Sequence, residues 1–341
     1  MRSSISNSDP AKGSTLTAKM NLQIRQATVA VILSLVMVLL GAEALSRYAF
    51  PRVSQIEERI HNDETQAMSI RASAPGSLPT VLLVGNSLLL RGLDYPKLRS
   101  EMAPSEQVVR FVIESTDYLD WYYGLHHMFT SGVRPSVVVV CLNLGQTVSS
   151  RTLGDYSARH LFGVPELLPV AHDARMDATQ TSGLFLAHWS AFYASRATIR
   201  NYILNRTAPA YGAALHALAD SGTTLLADDD ELVGKARTRL HSIDQLCRHY
   251  GAEFVLLIPP SLGRYNDLLA SAAQLQVVNF HYPLPTGALG PEYFRADRDH
   301  LNDKGAVVFT DAIAVYLRAR SAKHAKESPP AVAAGDARPL P

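Results

Sequence analysis

One uncharged run near the start of the chain limits every later reading. From Gln26 to Ala42 there is no Asp, Glu, Lys or Arg, and the stretch AVILSLVMVLLGA is dominated by Val, Leu, Ile and Met. As a helix this run rises about 26 Å, and continued to Leu45 it reaches the roughly 30 Å of a hydrocarbon core. Arg25 closes it on one side and Glu43, Arg47, Tyr48 and Phe50 on the other, the last two being suited to a membrane interface. A buried core helix of a soluble protein rarely lacks a polar face over such a length. A transmembrane helix over 26–46 is therefore expected. Ala42-Glu43-Ala44 has the small-x-small form of a signal-peptide cleavage site, but the run is long for a signal sequence, which favours an uncleaved anchor. Arg2, Lys12, Lys19 and Arg25 precede the span while Arg47, Arg52 and Arg59 follow it, a slight lean toward a cytoplasmic N-terminus. The expected layout is a single-pass protein of the cytoplasmic (inner) membrane with its large domain in the periplasm or outside the cell.

The remainder reads as one folded domain between two tails. Residues 1–25 and 321–341, rich in Ser, Asn, Gly, Ala and Pro, are expected to be disordered, and 47–77 forms a charged, helix-compatible connector. Over 78–320, continuous apolar runs bounded by turn residues occur at Thr80–Val84, Val108–Ile113, Ser136–Leu142 and Glu253–Ile258, with a weaker one at Val277–Phe280. Runs without polar alternation mark strands covered on both faces. Helical patterns at Asp117–Ser131, Asp230–Tyr250 and Lys304–Arg320 separate them, so the expectation is a three-layer α/β domain with a parallel sheet. About 150–229 breaks the alternation and reads as a helical insertion containing LFLAHWSAFYASRATIRNYIL, whose Trp189, Phe192, Tyr193 and Tyr202 are expected to be cap core rather than a sugar platform. A formal net charge of +1 argues against a nucleic-acid partner held through phosphates. The two cysteines, Cys141 and Cys247, lie in apolar patterns and imply no disulfide framework.

In such sheets ligands bind at the carboxyl ends of the strands. The first run ends in Gly85-Asn86-Ser87, where a glycine permitting a sharp turn would let a serine present its hydroxyl at the mouth of the sheet and its N–H to an oxyanion. Ahead of the last helix stands Asp297-Arg-Asp299-His300-Leu301-Asn302-Asp303-Lys304-Gly305. Asp297 and His300, three apart, can bond so that the carboxylate fixes the imidazole tautomer, which is what a general base for a serine requires. Taken singly, each motif has a plainer reading: a helix-capping serine, and a surface histidine beside Asn302 or Asp303 as a cap. His126-His127 lie side by side on a helix and point apart, so no metal centre is expected, and Asp228-Asp229-Asp230-Glu231 reads as a solvated helix start.

Taken together, the Gly-x-Ser after the first strand and the Asp-x-x-His-Leu-Asn before the last helix resemble the SGNH/GDSL hydrolase superfamily, over roughly residues 78–318. The resemblance implies a flavodoxin-like parallel sheet flanked by helices, no cofactor and no metal. It makes Ser87 the nucleophile, His300 the general base and Asp297 its partner, with Asp299 as competitor, while Asn86 replaces the usual Asp. Oxyanion donors would be the Ser87 N–H, a Gly after the second strand and an Asn after the third. Here the second strand leads into Ile113-Glu114-Ser115-Thr116 with no Gly, and Asn143 is the candidate after the third, although strict alignment puts that donor at Gly145. An anchored domain of this kind, with VLLIPPS after the fourth run, is similar to the bacterial proteins that O-acetylate alginate or cellulose. That likeness implies acyl transfer from a multipass membrane acyltransferase partner to a polysaccharide or other hydroxyl acceptor. An esterase using the same residues, and an inactive scaffold or glycan-binding subunit, remain as alternatives.

Overall fold

The computed structural model describes residues 10–74, 77–208 and 228–327; the expected tails at 1–9 and 328–341, and 209–227 of the insertion, lie outside the described residues. Helix α1 (Pro10–Ala44) includes the apolar run, and by length and composition one described helical stretch, Gln23–Val53, suits a membrane span, with none of its apolar window buried against protein. The stretch 10–25, expected as tail, is helical from Pro10. Ala, Leu, Lys, Met and Gln propagate a helix once the apolar run has nucleated it. A π-turn at Leu45–Ala49 and a helical turn at Phe50–Val53 lead into α2 (Gln55–Met68).

The domain then alternates as the apolar runs require: β1 (Thr80–Gly85), α3 (Ser87–Gly92), α4 (Tyr95–Met102), β2 (Gln107–Val112), α5 (Tyr118–Thr130), β3 (Val137–Cys141) and α6 (Leu144–Val148). Four helices of the insertion follow, α7 (Asp155–His160), α8 (Val164–Asp173), α9 (Ala178–Trp189) and α10 (Ala191–Thr207). The chain resumes with α11 (Asp229–His249), β4 (Glu253–Leu257), α12 (Tyr265–Gln276), β5 (Phe280–His281) and α13 (Asp303–Glu327). All strand pairs are parallel, in the order β2-β1-β3-β4-β5. That is the flavodoxin-like order, and its switch point lies between β1 and β3. Alternate residues of each strand feed two cores. Leu82, Val84, Phe111, Val138, Val140 and Phe254 pack under α2, α5 and α11, whereas Val81, Leu83, Val112, Val139 and Val255 pack under α3, α4 and α13.

Three features differ from the sequence expectation. The connector is not separate from the domain: Ile60 and Ala67 of α2 are fully buried, Arg110 of β2 donates twice to Asp63, and Arg59 donates to the Val112 carbonyl. The fifth strand starts at Phe280, because Val277, 83% exposed, ends α12 in the left-handed conformation (φ 55°). In the insertion Trp189 and Phe192, on either side of the break at Ser190, and Tyr202, further along α10, are exposed rather than cap core. His126 and His127 also meet a partner that spacing alone did not reveal. Glu166 of α8, buried, receives His126 Nδ1 at 2.7 Å and stands 3.8 Å from His127 Nδ1, tying α5 to α8.

Asp120 of α5 joins the sheet domain to the insertion: it is buried and accepts the N–H groups of Asp117 and Leu153. Burial outweighs those bonds and lifts its carboxyl from 3.8 to about 7. The native state therefore holds a proton that the unfolded chain releases, so stability falls as pH rises from about 4 to about 7. Urea unfolding across that window is expected to show this slope, and Asp120→Asn, which mimics the protonated form, to flatten it. At the end of β1 a Cβ on Gly85 would stand 2.9 Å from the Cys141 carbonyl oxygen and 3.3 Å from Leu89 Cβ. Gly85→Ala is expected to cost about 1–3 kcal/mol of unfolding free energy by the overpacking it forces between β1, β3 and α3.

Candidate active site

The register of the sheet assembles the site. Gly85 pairs with Val112 on one side and with Cys141 on the other, so Ser87 and Asn143 each stand two residues beyond the same rung, with the Glu114–Ser115 turn beside them. Gly85 is an ordinary strand residue; close packing of β3, rather than a sharp turn, excludes a side chain there. Asn86, not Ser87, caps α3, its Oδ1 accepting the Leu88 N–H at 3.0 Å. Ser87 thus occupies the first helical position, half-buried, where its own N–H has no intrahelical acceptor.

Asn86 is fully buried, and its Nδ2 donates to the Thr116 carbonyl at 2.9 Å. Thr116 Oγ1 in turn accepts from Trp121 Nε1, so the exits of β1 and β2 are fastened through one amide. A carboxylate at this position would keep the cap but would set an oxygen against the Thr116 oxygen. The asparagine therefore fits its own surroundings here.

On the other side, the chain from Tyr293 to Asn302 folds back on itself before α13. Phe294 and Leu301 form an antiparallel bridge, the Arg295 N–H donates to the His300 carbonyl at 2.7 Å, and Arg298 takes a left-handed turn (φ 62°). Asn302 caps α13, its Oδ1 accepting the N–H groups of Lys304 and Gly305 while its Nδ2 donates to the Glu292 and Phe294 carbonyls. Gly305 is required because a Cβ there would collide with the Tyr293 carbonyl oxygen and Leu301. Buried Leu301 seats the loop on α13, and His300 is presented towards Ser87.

The geometry is a linear relay. Ser87 Oγ lies 2.9 Å from His300 Nε2, and His300 Nδ1 lies 3.0 Å from Asp297 Oδ2. Asp297 Oδ1 accepts the N–H groups of Asp299 and His300 at 3.0 Å each. Burial alone would raise the Asp297 carboxyl, but these bonds and the imidazole outweigh it and hold the group below its usual 3.8. An ionised Asp297 keeps the proton on Nδ1, leaving Nε2 to accept from the serine hydroxyl. Asp297, not Asp299, holds the imidazole. The side chains of His300 and Asp297 are 27% and 30% exposed, so the relay sits at an open lip of the sheet.

Two further positions follow the same strand ends. Asn143 caps α6, its Oδ1 accepting the Gln146 N–H at 2.8 Å, and among the described residues no acceptor meets its Nδ2. Ser115, in the turn after β2 that holds no glycine, takes φ 62°, the left-handed conformation that glycine adopts freely. Buried Asn266, which sequence reading missed, fastens the neighbouring loops: its Nδ2 donates to the Pro259 carbonyl at 2.8 Å and its Oδ1 faces the Leu144 N–H at 3.4 Å. No local pattern marks it, because one partner, Leu144, lies 122 positions away at the start of α6. Among the described residues no group of His, Cys, Asp or Glu has the geometry to hold a metal ion.

In sequence the chain matches no protein-family model and no curated protein. Among solved structures it is similar to a GDSL-like lipase from Bacteroides thetaiotaomicron, at 10% identity over 78% of this chain and 97% of that one, with a TM-score of 0.38. It is also similar to TesA, at 14% identity over 70% of this chain and 98% of that one, with a TM-score of 0.35. The chemistry of the site follows from its own geometry.

Asn86→Asp is expected to destabilise the fold by about 1–3 kcal/mol, through the lost donor and the carboxylate left facing Thr116. Chemical denaturation of the purified variant measures it. Asn86→Ser, which retains a capping oxygen without the charge, is expected to cost less.

Proposed function

We propose that this chain is a membrane-anchored serine acyl-transfer enzyme of the SGNH/GDSL type. One observation carries the reading: Ser87 Oγ, His300 and Asp297 stand in hydrogen-bonded line at the carboxyl edge of a parallel sheet. His300 Nε2 takes the hydroxyl proton as Ser87 Oγ bonds to the acyl carbonyl carbon. The carbonyl oxygen becomes an oxyanion facing the N–H of Ser87 and the amide of Asn143. Collapse expels the donor's leaving group, which takes the proton from the imidazolium, and an acyl-serine remains. An acceptor hydroxyl, deprotonated by the same imidazole, then takes the acyl group and frees Ser87.

The acceptor we favour is a hydroxyl of an exopolysaccharide or cell-envelope glycan, with the domain held outside the cytoplasmic membrane by α1 and supplied by a multipass membrane acyltransferase. The partial exposure of His300 and Asp297 supports a polymer acceptor, since an extended chain can reach a relay that lies at the surface. Water as acceptor would make the same intermediate an esterase. The bonded relay weighs against an inactive scaffold.

Labelling with a fluorophosphonate is expected to modify wild-type protein on Ser87, and Ser87→Ala and His300→Ala to abolish it. Folded wild type that resists labelling would refute the reading. Asp297→Asn is expected to slow acyl-enzyme formation by roughly 10²–10⁴-fold, measured as burst kinetics with an activated acetyl ester, because it loses control of the tautomer. With oligosaccharide added, acetyl transfer to sugar is expected to grow at the expense of free acetate. Release of acetate that no glycan changes would mark an esterase.

A further inference from the structure

The break between α9 and α10 is attached to the end of the apolar helix. Glu43, the first charged residue after the uncharged run, accepts from Ser190 Oγ at 2.7 Å and from the N–H groups of Ala191 at 3.0 Å and Phe192 at 3.1 Å. It thereby satisfies the donors at the start of α10 that the helix itself leaves unpaired. Arg47, one turn further on, bonds to Glu43 and donates to the Trp189 carbonyl at 2.9 Å. Ser46, between them, is buried. These contacts set the 189–192 corner at the level where the apolar run ends, within about one helical turn, or 5.4 Å, along α1.

What this corner shows to solvent is apolar. Trp189 is 67% exposed, Leu186 one turn earlier 54%, and Phe192 on the first turn of α10 36%; Leu45 and Tyr48, in the turn after α1 that packs against α10, are exposed as well. A soluble surface gains nothing from an exposed Trp and Leu on one helix face. At the boundary of a bilayer the same residues bury their apolar bodies while indole N–H and backbone remain in the headgroup layer. Glu43 lies inside the cleavage-like Ala42-Glu43-Ala44, and a cut there would remove its three bonds at the start of α10 while leaving Ser190 as the cap.

We propose that the helical insertion docks on the lipid bilayer, with Leu186, Trp189 and Phe192 entering its interfacial layer and Glu43 pinning the α9–α10 corner to the anchor. This rests on the reading that α1 crosses the membrane. The occupant of the patch is lipid, because the corner is bonded to the segment that leaves the hydrocarbon at that depth.

The chain has two tryptophans, and Trp121 is fully buried in the core, so Trp189 can be read by difference. Full-length protein in nanodiscs of phosphatidylcholine and phosphatidylglycerol, with either plain or brominated acyl chains, is compared with its Trp189→Phe variant. The Trp189 share of emission is expected to be lost in brominated lipid, and Glu43→Gln to restore part of it. A Val36→Trp reporter in the Trp189→Phe background, with the intact mass of the purified chain, tests the anchor separately. Quenching of the reporter without quenching of Trp189 would overturn the docking and leave the anchor standing. Absence of both, or a chain lacking residues before Leu45, would overturn both. Unchanged Trp189 quenching in Glu43→Gln would remove the pin. Trp189 unquenched by lipid but shielded from a soluble quencher in native membranes would mean that a protein covers the patch, which also overturns the proposal.

Discussion

A hydrogen bond of 2.9 Å between residues 213 positions apart in sequence sets the tolerance for the rest of the molecule. Ser87 and His300 belong to opposite ends of the domain, and nothing local brings them together. The bond exists because α3 and α13 lie on the same face of the sheet. There Leu89 and Leu93 share a core with Leu301 and Phe309, and Gly92 lets the Phe309 ring approach. A shift of either helix by a fraction of a side chain would break the relay while leaving the sheet intact. The glycines at 85, 92 and 305 therefore position the site as much as they pack it: Gly85 and Gly305 each remove a side chain where another backbone comes close, and Gly92 makes room for the Phe309 ring.

The site is fixed by polar side chains that each serve two loops. Asn86 spans the exits of β1 and β2, Asn266 spans the loops after β3 and β4, and Asn302 ties the histidine loop to the helix it precedes. Amides suit this work because one group both donates and accepts, whereas a carboxylate can only accept. The surroundings of Asn86 supply a physical reason for an amide at that position that owes nothing to kinship.

Much of this was legible in the sequence where the signal is local. Strands buried on both faces appear as unbroken apolar runs, and the α5 pattern from Asp117 to Ser131 coincides with its two cap residues. Ser87, His300 and Asp297 could be named because each sits beside a strand end or a helix start that the pattern already marked, and the fold brings them into one hydrogen-bonded line. What escaped depends on partners far along the chain. Glu166 meets two histidines across 39 to 40 positions, Glu43 meets Ser190 across 147, and Ser115 accepts a left-handed backbone without being glycine. Val277 escaped for another reason: its residue type favours a strand, yet the geometry of a helix end prevails there.

The attachment of α2 to the edge of the sheet has a mechanical meaning. Arg59 holds the Val112 carbonyl and Glu114, while Asp63 holds Arg110, so the polypeptide that leaves the apolar helix is fastened to β2 within a few turns. The tether has no slack. Where α1 enters a bilayer, this attachment ties the height of Ser87 above the surface to the bonds between α2 and β2. Distance from the bilayer is then a property of the attachment: lengthening the chain at Ser54 would move the line of Ser87, His300 and Asp297 relative to the surface without altering that line.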